Sequence, residues 1–207
     1  MGKLDSNKKQ KRESLFNTAF RLFTTKGLSK TSISDIVSEA GVAKGTFYLY
    51  FKDKYDIRNK LISHKSSEIF LKAAEDLNKL DHEPDFEEQI IFLIDHIINQ
   101  LNSNKSLLTF ITKNLSWGIF KNALTSPSIS GDLNFREIYE KMLCSTEDKF
   151  KNPEIMLFMI VEFVSSTCYS VILYNEPADL EQFKPFLYES VYSIIESNKI
   201  KTDKKEG

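Results

Sequence analysis

Residues 32–51 place the strongest constraint on the fold of this chain, because they contain two short helical patterns joined by Ala40-Gly41-Val42. Ser32 opens the first pattern and can cap a helix, while Asp35 stands where a capping box needs its acid. The glycine of the turn ends that pattern, since glycine adopts left-handed backbone without the penalty of a Cβ atom. Two short helices joined in this way are typical of a helix-turn-helix, whose second helix enters the major groove of DNA.

The second helical pattern has a core side and an outer side. Phe47 and Phe51 lie one turn apart and are predicted to face the core. The other positions supply a cation, a glycine, a hydroxyl and two phenols: Lys44, Gly45, Thr46, Tyr48 and Tyr50. These groups suit contacts with phosphates and base edges. Short matches of this kind also occur by accident in helical proteins, so a plain three-helix bundle remains an alternative for this segment alone.

Charge is unevenly distributed along the chain. Residues 1–65 contain 14 Lys and Arg against 6 Asp and Glu, whereas the remainder contains 14 against 23. A basic head is therefore joined to an acidic body, and affinity for DNA depends on such a local patch rather than on the net charge. The head opens with a basic run: Lys3, Lys8, Lys9, Lys11 and Arg12. This run predicts an arm that contacts DNA, and a solubilising tail is the alternative.

The segment from about Lys11 to Leu61, about a quarter of the chain, resembles the N-terminal domain of the tetracycline-repressor-like (TetR) family of bacterial regulators. The resemblance rests on TSISDI at 31–36, AGVAKGTFYLYF at 40–51 and KDKYDI at 52–57, and on the spacing from these stretches back to the turn at Gly27. It implies a homodimer that binds DNA and responds to a small molecule.

The resemblance also implies which residues contact DNA. Thr31, Ser32 and Ser34 would contact phosphates near the start of the second helix. The recognition helix would contribute Lys44, Gly45, Thr46, Tyr48 and Tyr50, and the fourth helix would contribute Lys54 at its start. Lysine and tyrosine can donate to guanine or phosphate oxygens, and glycine allows close approach of the backbone. Relatives often have Ser or Thr at the position of Ala43. Alanine has no hydroxyl group, so no side-chain contact with phosphate is predicted at this position.

Helical spacing predicts an all-α fold. A first helix of about five turns ends near Gly27, and further helices are predicted at about 54–80, 85–102, 105–123, 132–150, 153–174 and 179–198. Residues 1–53 are predicted to form a three-helix helix-turn-helix domain, and residues 54–207 a larger helical domain for effector binding and dimerisation. The charged tails, through Lys8 and from about Ile200, are expected to be mobile.

Enzymatic chemistry has little support in the sequence. The three histidines are isolated, and no catalytic or phosphate-binding motif accompanies them. No metal or other cofactor is expected. Cys144 and Cys168 are predicted to be buried thiols rather than a disulfide. No signal peptide or membrane span is expected, since apolar stretches look shorter than a spanning helix, so the chain is predicted to be cytoplasmic. A small helical enzyme is the weaker alternative.

The two C-terminal helical patterns are apolar around more of their circumference than one buried face requires. The resemblance implies that they form a four-helix bundle in a homodimer, which would bind a palindromic operator. A small, largely apolar effector would displace helix 54–80 and release the DNA. Candidate effector-binding residues are aromatic or flexible: Phe110, Trp117, Phe120, Tyr139, Met142, Phe158 and Tyr169. A packed core and a constitutive DNA-binding protein without an effector are the alternatives.

Overall fold

The computed structural model describes residues 3–112 and 135–200, whose regular structure is helical apart from one isolated β-bridge. This confirms the predicted all-α class. The described helices are α1 Lys3–Thr25, α2 Ile33–Glu39, α3 Lys44–Tyr48, α4 Lys54–Leu77, α5 Phe86–Ser103, α6 Lys105–Thr112, α7 Phe135–Ser145, α8 Pro153–Tyr174 and α9 Leu180–Asn198.

Two predicted segments differ from the structure. Helix α1 begins at Lys3, so the segment through Lys8, predicted to be a mobile tail, is helical in the structure. The hydroxyl of Tyr50 donates to the carbonyl of Lys8 at 3.3 Å, which ties this part of α1 to the recognition helix. Helix α7 ends at Ser145, short of the predicted 150, and Phe150 instead forms the isolated bridge with Lys199.

Local signals at the helix-turn-helix act as predicted. Ser32 caps α2 by accepting from the Asp35 backbone, and Asp35 completes the capping box by accepting from Ser32. The hydrogen bonds from Ser32 lower the pKa of Asp35 below its usual value. Gly41 follows α2 with a φ of 67°, in the left-handed region that favours glycine. The turn between α2 and α3 therefore follows from the sequence.

A first hydrophobic cluster, named here the head cluster, joins α1, α2 and α3 to the first part of α4 and to α6. Phe47 and Phe51 are 0% and 2% exposed, which confirms their predicted core position. The contribution of α6 consists of Leu107, Phe110 and Ile111. The recognition helix is therefore supported by helices that lie beyond the helix-turn-helix itself.

A second hydrophobic cluster, the body cluster, joins the second part of α4 to α5, α7, α8, α9 and Leu108 of α6. Helix α4 thus contributes Ile57, Leu61 and Ile62 to the head cluster and Phe70 and Ala73 to the body cluster. A displacement of α4 would affect the packing of both clusters.

Helix α8 has two apolar sides. It is long and apolar enough, by length and composition alone, to cross a membrane, so the expectation that apolar stretches stay too short is wrong for this helix. In the structure Met156, Leu157 and Ile160 are buried in the body cluster, while Ile155 remains 52% exposed. The core helix of a globular protein meets the same length and composition criteria, so α8 is weak evidence for a membrane span.

Candidate nucleic-acid interface

The five-residue recognition helix α3 is anchored by one side chain and exposes its other face. Phe47 is fully buried in the head cluster, whereas Lys44, Gly45 and Tyr48 are exposed. Thr46 and Tyr50 are half-buried. No side chain caps the amino end of α3, because Ala43 occupies the N-cap position. The structure therefore brings the five predicted recognition residues together, with a cation, a bare backbone and a phenol outermost.

Gly45 has a distinctive position on this exposed face. Its φ does not lie in the left-handed region, and a Cβ atom added there would meet no atom of the described chain within 4 Å. Neither backbone conformation nor packing within the protein therefore requires glycine at this position. Since glycine destabilises a helix relative to alanine, close approach of another molecule is a reason for its presence.

Thr31 does not occupy the position expected of a phosphate ligand. The residue is 1% exposed, and its hydroxyl donates to the carbonyls of Gly27 at 2.8 Å and Leu22 at 3.4 Å. In this structure the hydroxyl holds the end of α1 against the start of α2, which differs from the predicted contact with phosphate. A buried hydroxyl needs such partners to offset its loss of water.

Lys54 likewise has partners within the protein. Its ammonium donates to the carbonyls of Leu28, Ser29 and Thr31, at 2.9, 3.4 and 3.1 Å. An ammonium group has three donors, and three carbonyl oxygens of the loop between α1 and α2 lie in their reach. In this structure Lys54 thus fastens that loop to the start of α4, which differs from the phosphate contact expected of it.

Ser32 and Ser34 are both exposed at the start of α2. The Ser32 hydroxyl lies 2.7 Å from a carboxylate oxygen of Asp35 and accepts from the Asp35 backbone at 3.1 Å. It therefore caps α2 while remaining accessible. At the other end of α2, Ser14 Oγ of α1 donates a hydrogen bond of 3.1 Å to the carbonyl of the C-cap residue Ala40.

Sequence reasoning passed over Leu49, which directly follows α3. Its side chain is 78% exposed, and its φ of −69° and ψ of −24° continue the helical conformation. Its position in the helical pattern could have indicated this exposure. Leu49 lies four residues after Gly45, on the same side of the helix as Gly45 and away from the side that carries Phe47 and Phe51.

The candidate effector residues do not form one group in the structure. Phe110 belongs to the head cluster, where its ring centroid lies 5.4 Å from Phe20 and 6.4 Å from Phe23 of α1. Tyr139 and Met142 are buried in the body cluster. Phe110 and these two residues therefore lie in different hydrophobic clusters, although Leu108 of α6 belongs to the body cluster.

The remaining candidates have varied positions. Tyr169 packs at the edge of the body cluster, and Phe158 on α8 is 37% exposed. Trp117 and Phe120 lie outside the described residues. The hydroxyl of the buried Tyr139 donates to the Pro153 carbonyl at 3.0 Å, and burial raises the pKa of this phenol. Tyr139 is therefore a packed core residue that joins α7 to the start of α8.

A cleft of about 420 Å³ lies between α4, α5 and α6. Polar and apolar groups both line it: Ile69, Lys72, His96, Asn99, Gln100, Ser103, Asn104 and Leu107. None of the five candidate effector residues within the described ranges belongs to this lining. The cleft adjoins the head cluster, since Ile69 and Leu107 are members of both.

The described cysteines are free thiols in different environments. Cys168 is buried, and burial raises its pKa to about 12, whereas Cys144 is exposed. The expectation that both thiols are buried is therefore wrong for Cys144, which lies near the end of α7.

The segment that contains this interface is similar to known bacterial regulators. Residues 15–61 match the model of bacterial regulatory proteins of the tetR family. The HTH-type transcriptional regulator YvdT of Bacillus subtilis is 33% identical over 107 residues, covering 51% of this chain and 53% of that protein. The chain thus spans about half the length of that relative. A Staphylococcus aureus HTH-type transcriptional regulator, SAS2464, is 23% identical over 92% of this chain and 97% of its own.

The fold is also similar to that of solved structures. The transcriptional regulator FadR from Bacillus subtilis, crystallised in complex with stearoyl-CoA, superposes with a TM-score of 0.59 at 20% identity. The superposition covers 87% of this chain and 97% of FadR. The family match falls on the segment that holds the recognition helix and its supporting core, so residues 15–61 of this chain are similar to the TetR family of bacterial regulatory proteins.

Proposed function

We propose that this protein is a sequence-specific DNA-binding transcriptional regulator of the bacterial cytoplasm, and that it represses transcription until a small, largely apolar effector releases it. The observation that carries the proposal is the recognition helix, which is anchored by buried Phe47 and exposes Lys44, Gly45 and Tyr48. Residues 1–53 would supply the DNA-binding domain, and residues 54–207 the effector-binding and dimerisation domain.

The protein would bind DNA as a homodimer. Helices α8 and α9 expose large apolar side chains in addition to their buried ones: Ile155 52%, Phe158 37%, Phe186 69% and Tyr192 39%. A second copy of the same two helices could cover these side chains in a two-fold interface. Two recognition helices related by a two-fold axis would read a palindrome, with half-sites about 34–36 Å apart.

Light scattering tests the dimer. We expect about twice the chain mass of 23.9 kDa at micromolar concentration. Phe186→Asp should shift the mass toward that of the monomer, because a carboxylate would be buried without a partner in the interface. Asn102→Asp, at an exposed position on α5, is the control for an added charge. A parent protein with the mass of a single chain would contradict the dimer.

Effector binding would reach the DNA-binding domain through α4 and α6. Helix α4 contributes to both hydrophobic clusters, and α6 places Phe110 against Phe20 and Phe23 of α1. A ligand that binds better when these helices are displaced must favour the state with lower affinity for operator, since coupling between two sites is reciprocal. This linkage would convert effector binding into release of DNA.

Selection of binding sites from random DNA with the full-length protein tests the function. We expect recovery of a palindromic sequence whose complex resists excess nonspecific competitor at physiological salt. A Lys44→Gln, Tyr48→Phe variant should lose this preference while keeping the helical circular dichroism of the parent. Recovery of no common sequence would contradict sequence-specific regulation.

A second assay tests the effector. Long-chain acyl-CoA is a reasonable first probe, because Bacillus subtilis FadR was crystallised with stearoyl-CoA. An effector should lower operator affinity and raise the melting temperature of the free protein. If a broad panel of apolar compounds changes neither quantity, the protein is better described as a constitutive DNA-binding regulator.

A further inference from the structure

We propose that Gly45 and Leu49 form an apolar shelf on the recognition helix that reads the C5-methyl group of one thymine in each half-site. This proposal rests on the proposed DNA-binding function and specifies the base that this part of the interface recognises. The main observation behind the proposal is the exposure of Leu49. Its side chain is 78% exposed, more than any other exposed large apolar side chain in the described ranges.

Register places the two residues of the shelf together. Residues four apart lie on the same side of a helix, and a helical side chain leans toward the turn that precedes it. The Leu49 side chain therefore leans toward the turn that begins at Gly45. The space above Gly45 is open, since a Cβ atom there would have no neighbour within 4 Å. A methyl group could enter this space and contact both the glycine backbone and the leucine side chain.

The surroundings of the shelf favour DNA over an apolar partner. Lys44 and Lys52 are exposed on either side of it along the chain, and Tyr48 is 53% exposed. An isolated leucine on a protein surface is common and needs no explanation by itself. Here it lies within a cationic, hydrogen-bonding face that complements the negative charge of DNA. The shelf is the apolar part of a face that is otherwise suited to nucleic acid.

Major-groove chemistry then identifies the ligand group. Of the four unmodified bases, thymine presents a methyl group there, and the other base edges present hydrogen-bond donors and acceptors. An exposed leucine can make no hydrogen bond with its side chain, so its favourable partner in the groove is that methyl group. Leu49 is therefore assigned a role in specificity, whereas Lys44 and Tyr48 supply polar contacts.

Replacement of thymine by deoxyuridine removes only the methyl group and tests the proposal directly. The full-length protein would be titrated with the selected operator duplex and with duplexes in which symmetric pairs of thymines are replaced one pair at a time. We expect one pair at which the parent loses roughly fourfold in affinity per half-site, the equivalent of about 0.8 kcal/mol for one buried carbon. Leu49→Ala should bind the unmodified operator more weakly and should be insensitive to that replacement.

Leu49→Met is the matched control, because methionine keeps an apolar side chain of similar volume and should keep the sensitivity to deoxyuridine. The proposal is overturned if no thymine pair shows a deoxyuridine penalty that Leu49→Ala removes, or if Leu49→Ala and the parent respond alike at every pair. Failure of the parent itself to select any DNA sequence would instead overturn the proposed function, and the reading of thymine with it.

Discussion

Replacement of Lys54 by glutamine separates two roles for this residue. In the structure its ammonium donates to three carbonyls of the loop between α1 and α2. A lysine engaged in this way neutralises no phosphate. The logarithm of DNA affinity falls linearly with the logarithm of salt concentration, with a slope of about −0.9 for each phosphate neutralised. The salt slope therefore reports whether Lys54 contacts DNA or fastens the loop.

We expect Lys54→Gln to lower the free energy of unfolding by about 1 kcal/mol. Hydrogen bonds from charged groups contribute about 1.5–3 kcal/mol, but Lys54 is half-exposed and water would partly replace it at the carbonyls. Operator affinity should fall by a few-fold, because the loop sets the position of Ser32 and the start of α2. The salt slope should remain that of the parent.

Lys44→Gln is the matched control. Lys44 is exposed, and within residues 3–112 and 135–200 it makes no hydrogen bond or ion pair. Its replacement should leave stability unchanged and make the salt slope shallower by about 0.9. Fluorescence anisotropy with labelled operator, from about 50 to 200 mM salt, measures both slopes. A slope that becomes shallower by about 0.9 in Lys54→Gln would refute the assignment of Lys54 to the loop.

Three further changes test the structure. Gly45→Ala should raise the free energy of unfolding by about 0.5–1 kcal/mol yet weaken operator binding, and unchanged binding would contradict close approach of DNA. A thiol reagent should modify exposed Cys144 quickly in the native protein and Cys168, with its pKa raised to about 12, only on unfolding. Burial alone would raise the pKa of Asp95. Hydrogen bonds from Tyr188 and Lys184 have a larger combined effect and lower this pKa below its usual value. The resulting stability is present near neutral pH and is lost as pH falls through the folded-state pKa, so denaturant titrations of Asp95→Asn should show a weaker acid dependence.

Local physics explains why much of the helix-turn-helix could be predicted. The capping box of Ser32 and Asp35 involves residues three apart, and the left-handed Gly41 depends on one residue's own backbone. The burial of Phe47 and Phe51 follows from their spacing on one helix. Such signals act over a single turn of the chain, so the sequence specifies them without knowledge of the rest of the fold.

Other properties depend on partners that are distant in the chain. Periodicity predicts that Phe110 has apolar neighbours, but packing decides that these neighbours include Phe20 and Phe23 of α1. In the same way, the resemblance implied that Lys54 contacts DNA, whereas in the structure its ammonium donates to the carbonyl of Leu28, 26 residues away. Long side chains take whichever partners tertiary packing brings within reach.

The sequence by itself determined the all-helical class, the turn between α2 and α3, and the charge and hydrogen-bonding character of the recognition helix. Tertiary structure decided which of those side chains remain available, since Thr31 became buried and Leu49 stayed exposed. The physical reason is that helix propensity, capping and amphipathic spacing are short-range properties of neighbouring residues. Burial and hydrogen-bond partners depend on how the helices pack, which brings together residues far apart in the chain.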